Sequence, residues 1–194
     1  MSWMATGRYG LRAADTGAAL IQDLINTRAL DGAPDLLSGR GHAQEWWDRS
    51  VRHWASVRGV AVPDGDLSDE DAAALRRLRT TFERLIEGGE LPSGATPGVA
   101  VTLVPGEDGM VRPVPSGRGT EWLASALWSE TLLAQQSDTW SRIKLCRNET
   151  CRTAFYDASR NRSGVWHDVS TCGNVANLRA ARERKRRTAA DRDR

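Results

Sequence analysis

CRNETCRTAFYDASRNRSGVWHDVSTCGNV, residues 146–175, holds all three cysteines of this 194-residue chain and one of its three histidines. The four side chains have the spacing Cys-x4-Cys-x15-His-x4-Cys. Structural zinc is bound tetrahedrally by four Cys or His ligands, and two ligands a few residues apart can be presented by one turn. The spacing therefore predicts one structural zinc ion per chain, bound by Cys146, Cys151, His167 and Cys172.

Two alternative roles for these four side chains stay open. The cysteines can pack in a small core while His167 lies at the surface, or one cysteine can form a catalytic pair with the histidine. A single nucleophile, however, does not explain three cysteines within 27 positions. Zinc also explains how about 50 residues with many charges and few apolar side chains would fold, since such small units need a metal or disulfides.

Charge is distributed unequally along the chain. Residues 142–194 contain 14 Lys and Arg against 6 Asp and Glu and carry +8, so residues 1–141 carry −6, because the whole chain carries +2. A compact basic segment attracts phosphate backbones through the release of condensed counterions. We therefore expect an N-terminal domain over 1–141 and a smaller C-terminal domain over 142–194.

The N-terminal domain is expected to be mainly α-helical. Apolar residues at helical spacing predict helices in TGAALIQDLINTRAL, DLLSGRGHAQEWWDRSVRHWASVRG, DGDLSDEDAAALRRLRTTFERLIEGGE and GTEWLASALWSETLLAQQSDTWSRIKLC. Thr16 is a candidate N-cap of the first helix. Ser68 followed by Asp71 is a capping pattern for the third. The fourth helix is expected to lead directly to Cys146.

Two β-prone runs around PGEDG predict a small β-hairpin, and Pro113 and Pro115 restrict its second strand to a short or edge position. No stretch approaches the 18 apolar residues of a membrane helix, and the N-terminus lacks the apolar run of a secretory signal. We therefore expect a mainly α cytoplasmic protein without a membrane partner, with a small hairpin and a C-terminal zinc finger that ends in a basic helix.

The segments LCRNETC, YDASRNRSGVWHDVSTCGNVA and RKRR resemble the CGNR zinc-finger family. The pattern of that family has four metal ligands at these spacings, a tryptophan just before the third ligand, and Cys-Gly-Asn-Arg at the fourth. LIQDLINTR and TEWLASALWSETLL are similar, more loosely, to the helical ABATE-type domain that accompanies this finger in stress-responsive bacterial transcription regulators. The resemblance implies a regulator, not an enzyme, with an N-terminal sensing or assembly domain and a finger that binds double-stranded DNA.

The chain departs from the family pattern at two positions. His167 stands where the third ligand is usually cysteine, and Val175 stands where the signature has arginine. Imidazole replaces thiolate in many structural zinc sites, so we expect zinc binding to survive the first change. If the family arginine contacts DNA or caps an element of the finger, Val175 cannot make that contact in this protein.

A basic helix is predicted after Cys172. Its candidate DNA contacts are Arg179, Arg182, Arg184, Lys185, Arg186 and Arg187. A helix held by zinc at its start can lie along a DNA groove and contact phosphates. The alternative is a solvated C-terminus whose charges keep the protein soluble.

Six residues of the N-terminal domain are candidates for binding a small apolar or aromatic effector. They are Asp23, Asn26, Arg28, Trp46, Trp47 and Trp54. The tryptophans can equally pack in the core, and the polar residues can bridge neighbouring helices.

Two further classes of function stay open. The zinc site can shape a protein-interaction module whose basic end meets an acidic partner or RNA. An enzyme that uses the tryptophan-lined cavity is less favoured, because residues 1–141 contain no cysteine, no paired histidines and no glycine-rich phosphate loop. A homodimer is compatible with the sequence.

Overall fold

The computed structural model describes residues 3–15, 17–29, 32–91, 98–178, 182 and 184. Its helices are α1 Met4–Gly7, α2 Ala19–Ile25, α3 Arg40–Trp46, α4 Arg52–Arg58, α5 Asp69–Ile86 and α6 Gly119–Gln136, and its strands are β1 Val101–Pro105, β2 Val111–Pro115, β3 Ile143–Leu145 and β4 Ala154–Tyr156. About half of this part is helical and the strands form two small antiparallel hairpins, as the sequence predicts for the fold class. Within it, no helix has the length and apolar character that a membrane span requires.

Helix α2 lies at the centre of the fold. All seven of its residues are buried, including the polar Gln22 and Asp23, and it packs against α1, α5, α6 and β4. The predicted first helix is confirmed at this position, although its candidate cap Thr16 lies outside the described residues. The polar side chains of a helix that is buried on every side need hydrogen-bond partners inside the protein. We therefore expect these partners in the elements that surround α2.

The second and third predicted helices are also confirmed. A π-helical turn over Trp47–Val51 joins α3 to α4, and Gly59 ends α4 in the left-handed conformation with φ 66°. Ser68 accepts a hydrogen bond from the Asp71 backbone N–H at 3.1 Å, and Asp71 accepts one from the Ser68 N–H at 2.8 Å. This reciprocal pair is a complete capping box at the start of α5.

The prediction that the fourth helix runs directly to Cys146 is wrong. Helix α6 ends at Gln136, and Asp138 turns the chain with a positive φ of 55°. The Ser137 hydroxyl donates to the Leu133 carbonyl, which shows how polar residues compete for backbone groups at a helix end. A 3₁₀ turn over Trp140–Arg142 then leads into β3.

The hairpin predicted around PGEDG is confirmed. Strands β1 and β2 pair antiparallel, with Val101 opposite Pro115 and Pro105 opposite Val111. Because the sheet has two strands, both are edge strands. The prolines of β2, which lack a backbone N–H, therefore do not break hydrogen bonds to a third strand.

The second hairpin, β3–β4, was not predicted, and it joins the C-terminal segment to the helical domain. Ile143 pairs with Tyr156, and Leu145 pairs with Ala154. Ile143 and Ala154 are buried in the same hydrophobic cluster as α2, α5 and α6. The change of charge near residue 141 therefore does not separate two hydrophobic cores.

Candidate metal centre

The β3–β4 hairpin positions the first two predicted ligands. Cys146 directly follows β3, and its N–H donates to the Thr153 carbonyl at 2.9 Å. Cys151 lies in the turn between the strands, where its N–H donates to the Asn148 carbonyl at 2.8 Å. Arg152 follows with a positive φ of 57°, which returns the chain to β4. The hairpin thus holds both thiols at one end of a short two-stranded sheet.

A capped helical turn positions the other two ligands. Asp168, next to His167, accepts hydrogen bonds from the N–H groups of Ser170 at 2.6 Å and Thr171 at 3.3 Å, and so caps the π-helical turn Val169–Gly173 that contains Cys172. A side chain on Gly173 would lie 3.2 Å from Trp166 and from Val169. The glycine therefore lets the turn pack closely against the tryptophan that precedes the third ligand.

The four ligand atoms of Cys146, Cys151, His167 and Cys172 lie within 4.8 Å of one another. The Nδ1 atom of His167 is 3.3 Å from the Cys151 sulfur and 3.6 Å from the Cys172 sulfur. With Zn–S near 2.3 Å and Zn–N near 2.0 Å, the S to N edge of a zinc tetrahedron is about 3.5 Å. The residues therefore fit one structural zinc ion, with His167 offering Nδ1, as the spacing predicts.

Polar groups around the ligands support this fit. The Asn148 side-chain amide donates to the Cys172 sulfur at 3.4 Å, and the Thr153 hydroxyl lies 3.0 Å from the Cys151 sulfur. Hydrogen bonds of this kind orient thiolate ligands and stabilise their charge. Sequence reasoning missed both residues, although each stands within two positions of a ligand. The Asp168 cap was also missed, and the aspartate itself, a preferred N-cap residue, was the signal for it.

The surroundings of Cys151 and His167 favour the uncharged forms of these two ligands. Burial, with the neighbouring Cys146 and Cys172, raises the pKa of the Cys151 thiol to about 12, and it does so against the hydrogen bonds of Thr153. Burial also lowers the pKa of His167, despite the nearby carboxylate of Asp168. At neutral pH the imidazole is thus neutral and available, whereas zinc has to displace the proton of Cys151.

The helical domain holds the metal-binding hairpin through Asn26. Its Oδ1 atom accepts from the Ala154 N–H at 2.8 Å, and its Nδ2 atom donates to the Ala154 carbonyl at 3.0 Å. Gln22 adds a weaker bond to the same carbonyl at 3.4 Å. The amide of Asn26 therefore pairs with β4 as the backbone of a neighbouring strand would, three residues after Cys151.

Comparison with known families agrees with this geometry. Residues 142–185 match the family model of the CGNR zinc finger. The matched part, hereafter the finger, contains all four ligands and not the helical domain, whose similarity to the ABATE-type domain stays a prediction. No curated protein matches the sequence. In the finger, Val175 follows Gly173 and Asn174 at the arginine position of the signature and is 39% exposed.

The predicted DNA contacts lie only partly within the described residues. Residues 174–178 are helical, and Arg182 and Arg184 are helical and exposed. Arg179, Lys185, Arg186 and Arg187 lie outside the described residues. The predicted helix is thus confirmed over its first turn, and the contacts to DNA stay a prediction.

The polar residues of LIQDLINTR make contacts inside the protein. Asp23 accepts from the Thr6 N–H at 2.7 Å and from the Trp46 indole N–H at 2.8 Å. Asn26 binds the backbone of Ala154, and Arg28 forms an ion pair with Glu83 of α5. These three side chains therefore bridge neighbouring elements.

The three tryptophans of α3, the π-helical turn and α4 are buried in the core. Trp54 donates its indole N–H to Glu130 at 3.0 Å, and it also lines a cavity of about 530 Å³. The indole nitrogen of Trp47 is buried and has no hydrogen-bond partner within the described part of the chain. Binding of an effector at these residues stays a prediction.

Proposed function

We propose that this protein is a non-catalytic regulator of transcription in the bacterial cytoplasm, and that it binds double-stranded DNA through the finger and the basic helix after Cys172. The observation that carries the proposal is the position of the fourth ligand. Cys172 lies in the turn that opens the helix at 174–178, and the chain continues into a run of arginines that includes Arg182 and Arg184. A metal at this turn would fix the start and direction of a basic helix, which is what a groove-binding element needs.

The charge of the segment supports the same proposal. Residues 142–194 carry +8, whereas residues 1–141 carry −6. An acidic domain is repelled by a phosphate backbone, so the protein would approach DNA with the finger first. Arginine outnumbers lysine in the segment, which favours forked contacts to phosphate or guanine.

The test is duplex-DNA binding over a range of salt concentrations. Replacing Arg182 and Arg186 together by alanine should weaken binding to all sequences and lower the slope of log affinity against log salt by about two. Zinc content and helicity, measured in parallel, should stay unchanged. If the wild type and the double variant bind equally weakly at physiological salt, the proposal is wrong.

A second candidate is a protein-docking module, which three exposed aliphatic side chains of the finger favour. Val169 and Leu178 are 68% and 58% exposed, and Val175 is partly exposed near them in sequence. Exposed aliphatic side chains suit a protein partner better than a phosphate backbone. Val175→Arg separates the two functions: it should strengthen DNA binding if this position faces a groove, and it should leave DNA binding unchanged and weaken protein docking if it faces a partner.

We also propose that the helical domain of the regulator senses a small ligand. The 530 Å³ cavity beside Trp54 is lined by apolar and aromatic residues, among them Trp3 and Leu133, and also by the charged residues Asp15, Arg58 and Glu130. Its volume is typical of small-ligand sites. A library of aromatic and aliphatic compounds, screened by thermal shift, tests it. Hits that Trp54→Leu abolishes would support this site, whereas hits that it leaves unchanged would place the ligand elsewhere.

A further inference from the structure

A cleft of about 580 Å³ lies between the end of α5 and the finger. One wall is formed by Ile86 and Glu87, and the others by residues 144–147, Arg152 and residues 162–165. The metal ligand Cys146 is one of the lining residues, and the other three ligands do not line the cleft. The cleft therefore adjoins the metal centre at Cys146 and extends away from the other ligands, and its volume lies in the range of small-ligand sites.

Basic side chains dominate the walls of this cleft. Lys144, Arg147, Arg152 and Arg162 line it, and Glu87 is the acidic residue among the lining residues. Lys144 is engaged inside the protein, because its ammonium group donates to Asp157 at 2.7 Å and to the Gly164 carbonyl at 3.1 Å. The charges that remain for a ligand are those of the three arginines.

The three arginines are engaged to different degrees. Arg152 forms an ion pair with Glu87 at 2.6 Å, and Arg162 forms a forked pair with Asp138 at 2.9 and 2.5 Å. Arg162 also donates to the Ser141 hydroxyl at 2.8 Å. A guanidinium has five N–H donors, so these bonds still leave donors available on both side chains. Arg147 is exposed and has no ion-pair partner within the described residues. The excess positive charge at the cleft is therefore concentrated on Arg147.

The backbone around the cleft is unusual. The non-glycine residues with positive φ among those described are Asp138 at 55°, Arg152 at 57° and Arg162 at 50°. Two of them line the cleft, and the third pairs with one of those two. Such conformations are uncommon for arginine, whereas aspartate tolerates them more readily, and strained backbone clusters at binding sites.

We propose that this cleft binds a phosphate group, with Arg147 as the main contact and with Arg152 and Arg162 as further donors. Guanidinium groups bind phosphate through paired, charge-assisted hydrogen bonds, which suits three arginines around one cleft. The source of the phosphate that we favour is the DNA backbone, and this part rests on the DNA binding proposed above. A free phosphate ion has the same chemistry.

The experiment uses the zinc-loaded full chain and three variants. Arg147→Ala removes the lining arginine that has no ion-pair partner among the described residues. Arg160→Ala is the matched control, because Arg160 is an exposed arginine of the same finger that does not line the cleft. Glu87→Gln removes the acidic charge of the lining while keeping a side chain of the same shape. Zinc content and circular dichroism establish that each variant retains the fold.

In the first arm, inorganic phosphate is titrated at constant ionic strength and followed by NMR. Arg147→Ala should weaken binding about tenfold, as expected for the loss of one charge-assisted hydrogen bond. Arg160→Ala should bind as the wild type does, and Glu87→Gln should bind more tightly. In the second arm, duplex DNA is titrated over a range of salt, and Arg147→Ala should lower the logarithmic slope by about 0.9 more than Arg160→Ala does.

The outcomes distinguish the cleft from the proposed function. If Arg147→Ala and Arg160→Ala behave alike in both arms, the cleft proposal is overturned, although DNA binding itself can stand. If the wild type binds phosphate at the cleft but binds no DNA, the proposed function fails and the cleft is a site for free phosphate. If the wild type binds neither, both proposals are overturned.

Discussion

Replacing Asn26 by alanine tests whether the helical domain supports the metal centre. The change removes two hydrogen bonds to the buried backbone of Ala154, at 2.8 and 3.0 Å. The Ala154 carbonyl keeps the bond from Gln22 at 3.4 Å, whereas its N–H keeps none of these. An unsatisfied buried group costs about 1–3 kcal/mol, so we expect a loss of roughly 2–4 kcal/mol in the free energy of unfolding.

Part of this loss should appear in the affinity for zinc. Ala154 begins β4, and Cys151 stands three residues before it, so a loosened strand also loosens a ligand. If about half of the lost free energy is shared with metal binding, the dissociation constant for zinc should rise by roughly 5- to 30-fold. Asn26 is thus expected to act as a positioning residue, since it does not touch the metal ligands.

Two measurements check this prediction. Urea unfolding gives the change in stability, and competition with a chelating dye gives the affinity for zinc. Asn161→Ala, the same substitution at an exposed position of the finger, should change neither. If Asn26→Ala is destabilised but binds zinc as tightly as the wild type, the proposed coupling between stability and zinc affinity is refuted. If its stability is unchanged, the energy assigned to the two lost hydrogen bonds is refuted.

Three further predictions concern the metal and the helical core. Purified protein should contain about one zinc per chain and Cys146→Ser should lose it, so a preparation without chelator that contains no zinc by metal analysis would contradict the site. Asp35→Asn should cost roughly 1–3 kcal/mol at pH 7, because it breaks a forked pair with Arg79 at 2.9 and 2.8 Å. Burial raises the pKa of Asp35, but the hydrogen bonds from Arg79 and from the Leu37 N–H, together with the positive charges of Arg79 and Arg76, outweigh burial and hold that pKa below its ordinary value. The stabilisation is therefore present above about pH 4, and the difference from wild type should shrink in urea titrations as the pH falls. Gly17→Ala would place a methyl group 2.1 Å from the buried carboxylate of Glu130 and should cost about 3 kcal/mol, whereas an unchanged urea midpoint would show that Glu130 can move away.

The features that the sequence predicted correctly depend on neighbours along the chain. The four zinc ligands lie within 27 positions, and a tetrahedral metal needs no other part of the fold to select them. The Ser68–Asp71 cap is made within one helical turn, and the β1–β2 hairpin is closed by its own turn residues. Local hydrogen-bond geometry is sufficient in each of these cases.

The features that only the tertiary structure decided depend on residues far apart in the chain. Strands β3 and β4 have three residues each, too few to show a periodic pattern, and β4 is held by Asn26, 128 positions away from Ala154. The cleft likewise joins Glu87 of the helical domain to Arg152 of the finger. Sequence spacing identifies which residues can bind a metal. The packing of buried surfaces decides which helix supports those residues and which charged side chains surround them. That packing involves residues far apart in the chain, so no short stretch of sequence indicates it.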